Sequence, residues 1–599
     1  MRLLPVLLST ALLSTILLAS TPVAAAPGAE DAKLKALFTA SDEAGLRRNP
    51  MSALYRGDLR YAGSIGDPFT DAHEAAECAA SESDLKALRA IDRAALSAVD
   101  RIAYDVFDTD TAIDLRQCRD PDLRTSFEVR PINHFYGFHL SYAELASGQG
   151  AAPFRSLIDY ENNLKRNREF AGAIDRIIGR FRQGMQLGIV ESKLTTRNMI
   201  EQLDLQIGKG VEGSIYAEPV DGMPATIPAS DRARIRAEQL ALIRSQMLPA
   251  LVRLRDFLRD IYLPAAREGV GLSAMKGGDK VYAYLIQRST TLPLTAAEVH
   301  QIGLDEVARI RGEMAIAAKA AGFKGTLAEL FAYMRTDKSF QPKSVEQLRL
   351  GFQAIRARVE ARIGEQFSTL PKAPLDIRAT PAFKEKSAAG GEYMRGTADG
   401  TRPGIFFYNG YDLPSRYLWE DETLFLHEGE PGHHFQISLA QENADLPNFM
   451  RYGGNTAFVE GWALYAESLW KELGMETDPW QRLGGLNDEM LRAMRLVVDS
   501  GIHADGWDRA RSIQYMLDNS PEAVTDATAE VERYIAIPGQ ALAYKMGQLT
   551  ISRLKAKAMT ELGAKFDPRE FHAQVLMSGA LPLPVLEKKI DDWIVAKKG

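Results

Sequence analysis

The stretch 424-LFLHEGEPGHHFQ-436 decides how the rest of the chain is read. Written as His-Glu-x-x-His, it would set two imidazoles on one helical face with a glutamate beside the first, the pattern of a zinc hydrolase. The residue four places after His427 is instead Pro431, which offers no metal ligand, and two histidines follow at His433 and His434. With a helical advance of about 100° per residue, His434 falls about 20° from the face of His427 but almost two turns along, and His433 about 120° away. A regular helix is not expected here. Pro431 cannot donate its backbone hydrogen bond and crowds the preceding turn, and Gly432 tolerates unusual dihedrals. A distortion at Pro431-Gly432 that absorbs two residues brings His433 to the place of the second histidine, so the motif reads as modified and not as broken.

Two imidazoles need a third ligand, and a carboxylate is the natural partner for zinc. The segment 455-NTAFVEGWALYAESLWKEL-473 follows and supplies Glu460 and Glu467, which share one helical face. Spacing alone leaves both open. A glutamate on a helix is ordinarily a solvated face residue, but Glu460 comes 27 residues after His433 and gains weight from that proximity. The chain has two cysteines, Cys78 and Cys118, too few for a thiolate cage, so any metal here rests on histidine and carboxylate.

The N-terminus, MRLLPVLLSTALLSTILLASTPVAAAPG, has one basic residue, an apolar run and then small residues, the layout of a cleaved signal peptide over residues 1–26. The run is broken by Ser and Thr and ends without a basic stop, which disfavours a membrane anchor. No cysteine follows it closely, as lipid attachment would need. An exported, periplasmic protein without stable membrane insertion is expected, in which Cys78 and Cys118 can pair. The net charge of -7 gives no electrostatic grip on nucleic acid.

Most of the chain shows helical periodicity. In 294-LTAAEVHQIGLDEVARIRGEM-314, Thr295 and Glu298 form a capping box, and Val299, Gly303, Val307, Ile310 and Met314 line one face. The segments 161–181 and 232–262 read likewise as long amphipathic helices, so the fold class is mostly α. Residues 371–409 break the pattern. There 393-YMRGTADGTRPGIFFYN-409 is expected to form two antiparallel strands around Asp399-Gly400, with GIFFYN as an edge strand and Arg402 and Asn409 at its ends. Residues 27–270 make an N-terminal helical region and 271–599 the metal-site region, the two forming one interlocked domain.

The blocks ETLFLHEGEPGHHFQ, AFVEGWALYAE, VVDSGIHADGW, IPGQALAYKMGQ and FHAQVLMSGALPLPVLEKKI, in that order, resemble the bacterial family catalogued as domain of unknown function 885. That family is similar to mostly helical gluzincin metallopeptidases: thimet-type oligopeptidases, angiotensin-converting enzyme and Taq-type carboxypeptidases. The resemblance implies a zincin-like helical fold with a substrate groove and a small sheet beside the metal-bearing helix. It implies one zinc ion held by His427, His433 and Glu460, with Glu428 as general base. It also implies donors for a developing oxyanion from later blocks, His503 and Tyr544; Asp499, four residues before His503, reads equally as a carboxylate orienting that imidazole and as an ordinary i,i+4 pair. The activity implied is a carboxypeptidase- or oligopeptidase-type hydrolysis of short peptides. The competing expectations are an amidase or esterase using the same metal, and a helical metal-binding protein without turnover. His73, His134, His139, His300 and His572 lack suitable neighbours in sequence and are expected to be structural.

Overall fold

The computed structural model describes residues 28–381, 385, 389–397 and 402–599. The leader, residues 1–26, and the expected turn at Asp399-Gly400 lie outside them. The architecture is mostly helical with one small sheet. Helix α1, Leu157–Leu187, runs through the N-terminal region and buries Leu164, Phe170, Ile174, Ile177 and Phe181. Helix α2, Ala296–Ala320, starts at the Thr295–Glu298 capping box and buries the face named from the sequence, Val299, Gly303, Val307, Ile310 and Met314. The segment 232–262 is also helical, though it passes through two π-turns, at Ile243–Met247 and Leu258–Tyr262.

The two halves of the chain are not separate bodies. Leu34, Phe38, Leu88 and Val106 from the first hundred-odd residues share a core with Phe352, Phe425, Trp462, Leu554 and Ile590. A second core lies wholly between Leu54 and Tyr262. Cys78 and Cys118, on the helices Asp71–Arg89 and Ala98–Arg119, form a disulfide that closes 40 residues. Such a bond belongs to an oxidising compartment. Among the described residues no helix is long and apolar enough to cross a membrane.

The sheet corrects the sequence reading. It has three strands in the order β1-β3-β2, where β1 is Leu375–Ala379, β2 Gly391–Met394 and β3 Gly404–Tyr408. β3 pairs antiparallel with β2 and parallel with β1, so the sheet is mixed, and GIFFY is its centre and not its edge. Its five residues are all buried. An unbroken apolar run marks a strand covered on both faces, whereas an edge strand with one wet face would alternate. Arg402 and Asn409 accordingly serve the turns: Arg402 donates to the Arg395 carbonyl, and Asn409 Nδ2 to the Glu385 carbonyl.

From β3 the chain enters helix α3, Asp421–Glu428, which ends where Pro431 would interrupt it, and resumes as α4, His433–Glu442. Helix α5, Thr456–Glu467, crosses behind both, capped by Asn455. Helix α6, Pro479–His503, is buried along most of its length, and α7, Val524–Ala536, and α8, Leu542–Leu562, complete the wall. α5 and α8 meet at Gly461 and Gly547, where a Cβ on either would overlap the other helix's backbone. Two glycines at a crossing let the helix axes approach closely.

Candidate metal centre

His427 ends α3, His433 opens α4 and Glu460 faces both from α5. One ligand atom from each lies within 4.8 Å of the others. Glu460 Oε2 is 3.4 Å from His433 Nε2 and 3.8 Å from His427 Nε2. The break between α3 and α4 makes this possible. Instead of a bulge inside one helix, residues 429–432 form a connector between two, through a cis Glu430–Pro431 bond. Trp462 Nε1 on α5 donates to the Pro431 carbonyl at 2.8 Å and fixes the connector against the helix that carries Glu460.

The other candidates have different work. Glu467, two turns after Glu460, lies behind His427 and takes its Nδ1–H at 2.6 Å. That bond fixes the tautomer and leaves Nε2 bare towards Glu460, the usual support of a metal-binding histidine. Replacing Glu467 with glutamine should weaken metal affinity about 10–100-fold while His427, His433 and Glu460 stay in place; metal titration by calorimetry checks this. His434 turns the opposite way, with Nδ1 3.1 Å from the Tyr393 hydroxyl of β2, so it joins the helix to the sheet.

The electrostatics suit a cation. Burial, with His433 and Arg492 nearby, holds His427 well below its ordinary value, in the neutral form that binds metal. Burial alone would raise the Glu460 carboxyl, but the facing His433 outweighs it and brings it to about 2. An ionised carboxylate buried between two imidazoles needs positive charge beside it, and a divalent ion supplies more than one proton on His433 can. The donor set, two imidazole nitrogens and a carboxylate oxygen, is that of His₂Glu zinc sites. Glu428 follows His427 directly and makes no hydrogen bond among the described residues; burial raises it to about 7 against the pull of His433.

His503 is not placed as an oxyanion donor. Its Nδ1 accepts from the Leu272 amide at 3.1 Å and its Nε2–H points to the Tyr534 carbonyl at 3.0 Å, so both nitrogens are used by backbone. Burial lowers it to about 3, which fixes it neutral. Nor does Asp499 orient it: that carboxylate accepts from the Tyr282 hydroxyl at 2.6 Å and the Gly539 amide at 3.0 Å. The two therefore tie Leu272, Tyr282, the end of α7 and the Gly539 turn to the last turns of α6. Tyr544, on α8, has its hydroxyl accepting from Arg533 Nη2 at 3.1 Å and its ring 4.3 Å from the Arg495 guanidinium. Of the remaining histidines, His139 contacts Gln202, His300 contacts Ser500, and His572 bridges Tyr465 and the Gln366 carbonyl.

What the sequence reading missed is the cationic wall. Arg492 and Arg495 project from one face of buried α6, and Arg492 approaches Glu467 at 3.9 Å. The signal was present in 490-MLRAMRLVV-498, where two arginines three apart interrupt an apolar helix that has nowhere to expose them. Phe135 and Tyr136, 40% and 60% exposed, reach the same region from the N-terminal half; the Phe135 ring lies 5.5 Å from the Arg533 guanidinium.

A His-His-Glu cluster at an interrupted helix, set in a mostly helical chain, defines a candidate metal-binding protein. The chain belongs to the bacterial family of unknown function DUF885, whose model matches residues 50–590. It is similar to the crystal structure of a "putative lipoprotein" from Colwellia psychrerythraea, with 28% identity and a TM-score of 0.87 over 95% of this chain and 99% of that one. A second, a "putative lipoprotein of unknown function" from Shewanella oneidensis, shares the fold at 18% identity and a TM-score of 0.71, over 93% and 99% of the two chains. No functionally curated protein matches the chain.

Proposed function

We propose that this protein is an exported, zinc-dependent peptidase acting on short peptides. The observation that carries the reading is Glu428: it stands free beside a complete His427–His433–Glu460 ligand set. A purely structural metal has no use for an unengaged carboxylate next to its first ligand. Zinc, when bound, would act as a Lewis acid and lower the pKa of a coordinated water to about 7. Glu428 takes the proton from the attacking water and returns it to the leaving nitrogen. Tyr544, whose oxygen already accepts from Arg533, keeps its own hydrogen to offer a developing oxyanion.

The groove implied by the gluzincin resemblance is supported by the way charge is distributed. Glu460, Asp488 and Glu530 lie deep in the molecule yet keep side-chain exposures of 20%, 20% and 21%. Buried charges that still touch solvent line a recess and not a packed core. Export rests on the leader and the disulfide, and fits the descriptions of both structural neighbours.

Digestion of a short-peptide library read by mass spectrometry, with and without a chelator, tests the reading. Cleavage that disappears on chelation and returns with zinc is expected. An intact library in the zinc-loaded protein would overturn it.

A further inference from the structure

The site has a charge imbalance that metal binding and Glu428 leave unexplained. Beside the ligands, Arg495 of α6 and Arg533 of α7 converge on a single carboxylate, Glu530. Arg495 donates to it through Nε at 3.1 Å and Nη2 at 2.9 Å, and Arg533 through Nη1 at 3.3 Å. Glu530 Oε2 also accepts from the Tyr534 hydroxyl at 2.6 Å, so that oxygen takes three donors. Two further acids lie near it: Glu522 is pushed up to about 8 by burial and by Glu530, and burial raises Asp526 as well. Two guanidiniums against one carboxylate leave a net positive charge in a buried place.

The hydrogen bonds are incomplete in the same sense. Arg495 Nη1 and Arg533 Nε are buried and have no acceptor among the described residues. A guanidinium presents five donors in a planar fork, and a buried donor left unpaired is costly. Arg495 is 5% exposed and Arg533 16%, so Arg533 is the one of the two that is more open to a ligand. What is missing is an acceptor, and the surplus charge calls for an anionic one.

The cluster is close to the chemistry. Arg495 lies within electrostatic reach of both His427 and Glu460. Arg492, one turn before Arg495 on α6, stands 3.9 Å from Glu467, the carboxylate that holds His427, so the helix bearing the cluster passes close behind the first ligand. Gln540 and Tyr544 hold Arg533 Nη2 at 2.7 and 3.1 Å, fixing the fork. Phe135 and Tyr136 add exposed aromatic surface at the entrance, held by the Asn133 side chain accepting from both of their amides.

Resting on the peptidase reading, we propose that Arg533, backed by Arg495, receives a free carboxylate of the substrate next to the bond that is cleaved, so that the protein selects peptides by their C-terminus, with Phe135 and Tyr136 against the terminal side chain. A charge-assisted hydrogen bond between a guanidinium and a carboxylate in a shielded site discriminates strongly against a neutral amide of the same shape.

The test compares matched N-acylated tripeptides ending in phenylalanine, as free acid and as carboxamide, on the zinc-loaded protein. The free acid is expected to be cleaved with a kcat/KM about 100-fold higher. In Arg533→Gln the acid-to-amide ratio should fall to within about threefold, over and above any loss common to both substrates through the Tyr544 hydroxyl that Arg533 holds, and Arg533→Lys should recover part of it. Unchanged zinc content and a retained cooperative melt in both variants separate this from misfolding, even where the loss of the Glu530 contact lowers the melting temperature. Equal cleavage of acid and amide by the parent protein would overturn the carboxylate site and leave the peptidase standing. Should neither be cleaved, the peptidase reading fails, and calorimetric binding of the same pair to the zinc-loaded protein decides the site: tighter binding of the acid, lost in Arg533→Gln, supports it, and equal or absent binding ends it.

Discussion

Glu428→Gln should keep its zinc and lose peptide hydrolysis by about 10²–10⁴-fold, the range over which a positioned general base contributes. Glutamine preserves the shape and removes the basic oxygen. Because Glu428 makes no hydrogen bond among the described residues, its replacement frees no partner, and the melting temperature should stay close to that of the parent. The contrast is with His427→Ala, which should lose the metal and activity together, since His427 Nε2 faces Glu460 at 3.8 Å. Steady-state kinetics on one peptide, with zinc measured on the same samples, separates the two. A Glu428→Gln protein that cleaves as fast as the parent rules out the base, and one that has lost its zinc shows that Glu428 is a ligand.

What the sequence could and could not show follows from the range of the forces involved. Helices with an amphipathic face were legible because periodicity is local: the buried face of α2 and its Thr295–Glu298 cap could be named residue by residue. The His427–His433–Glu460 cluster was legible because three histidines stand within eight residues and a glutamate-bearing helix follows. Strand order was not, since β1 joins β3 from 29 residues upstream in register, Leu375 against Gly404, and no local pattern encodes that pairing. The roles of His503 and Asp499 were misread for the same reason. Their partners, Leu272 and Tyr282, Tyr534 and Gly539, come from two stretches, 272–282 and 534–539, away from the motif, and a motif that ties such segments together looks from sequence like a motif that does chemistry. Glu467 stands between these cases. Spacing put it on the face of Glu460, but only the crossing of α5 behind α3 shows that it holds His427 from the far side.

The connector at 429–432 gives the second large effect. A Cβ placed on Gly432 would run into the carbonyl oxygens of His427 and Leu426, well inside contact distance. Neither obstacle is a side chain that can swing away; both are backbone of the helix that carries the first ligand. Gly432→Ala must therefore move α3 relative to α4, and His427 relative to His433, whose rings stand 4.8 Å apart. Overpacking of this kind costs about 1–3 kcal/mol, occasionally more, and here the displacement falls directly on the ligand geometry. Zinc affinity is expected to drop at least about 100-fold, since ligating groups tolerate displacements of only about 0.5 Å, along with a lower melting temperature. Gly179→Ala is the control: it lies in α1 with nothing within 4 Å of the added carbon, and should melt no lower than the parent. Calorimetric zinc titration and thermal melting of both variants give the comparison. If Gly432→Ala binds zinc as the parent does, then the Pro431-Gly432 turn is incidental to the site. If affinity is lost while the fold survives, the two residues that separate this motif from His-Glu-x-x-His are the ones that bring His433 to the metal.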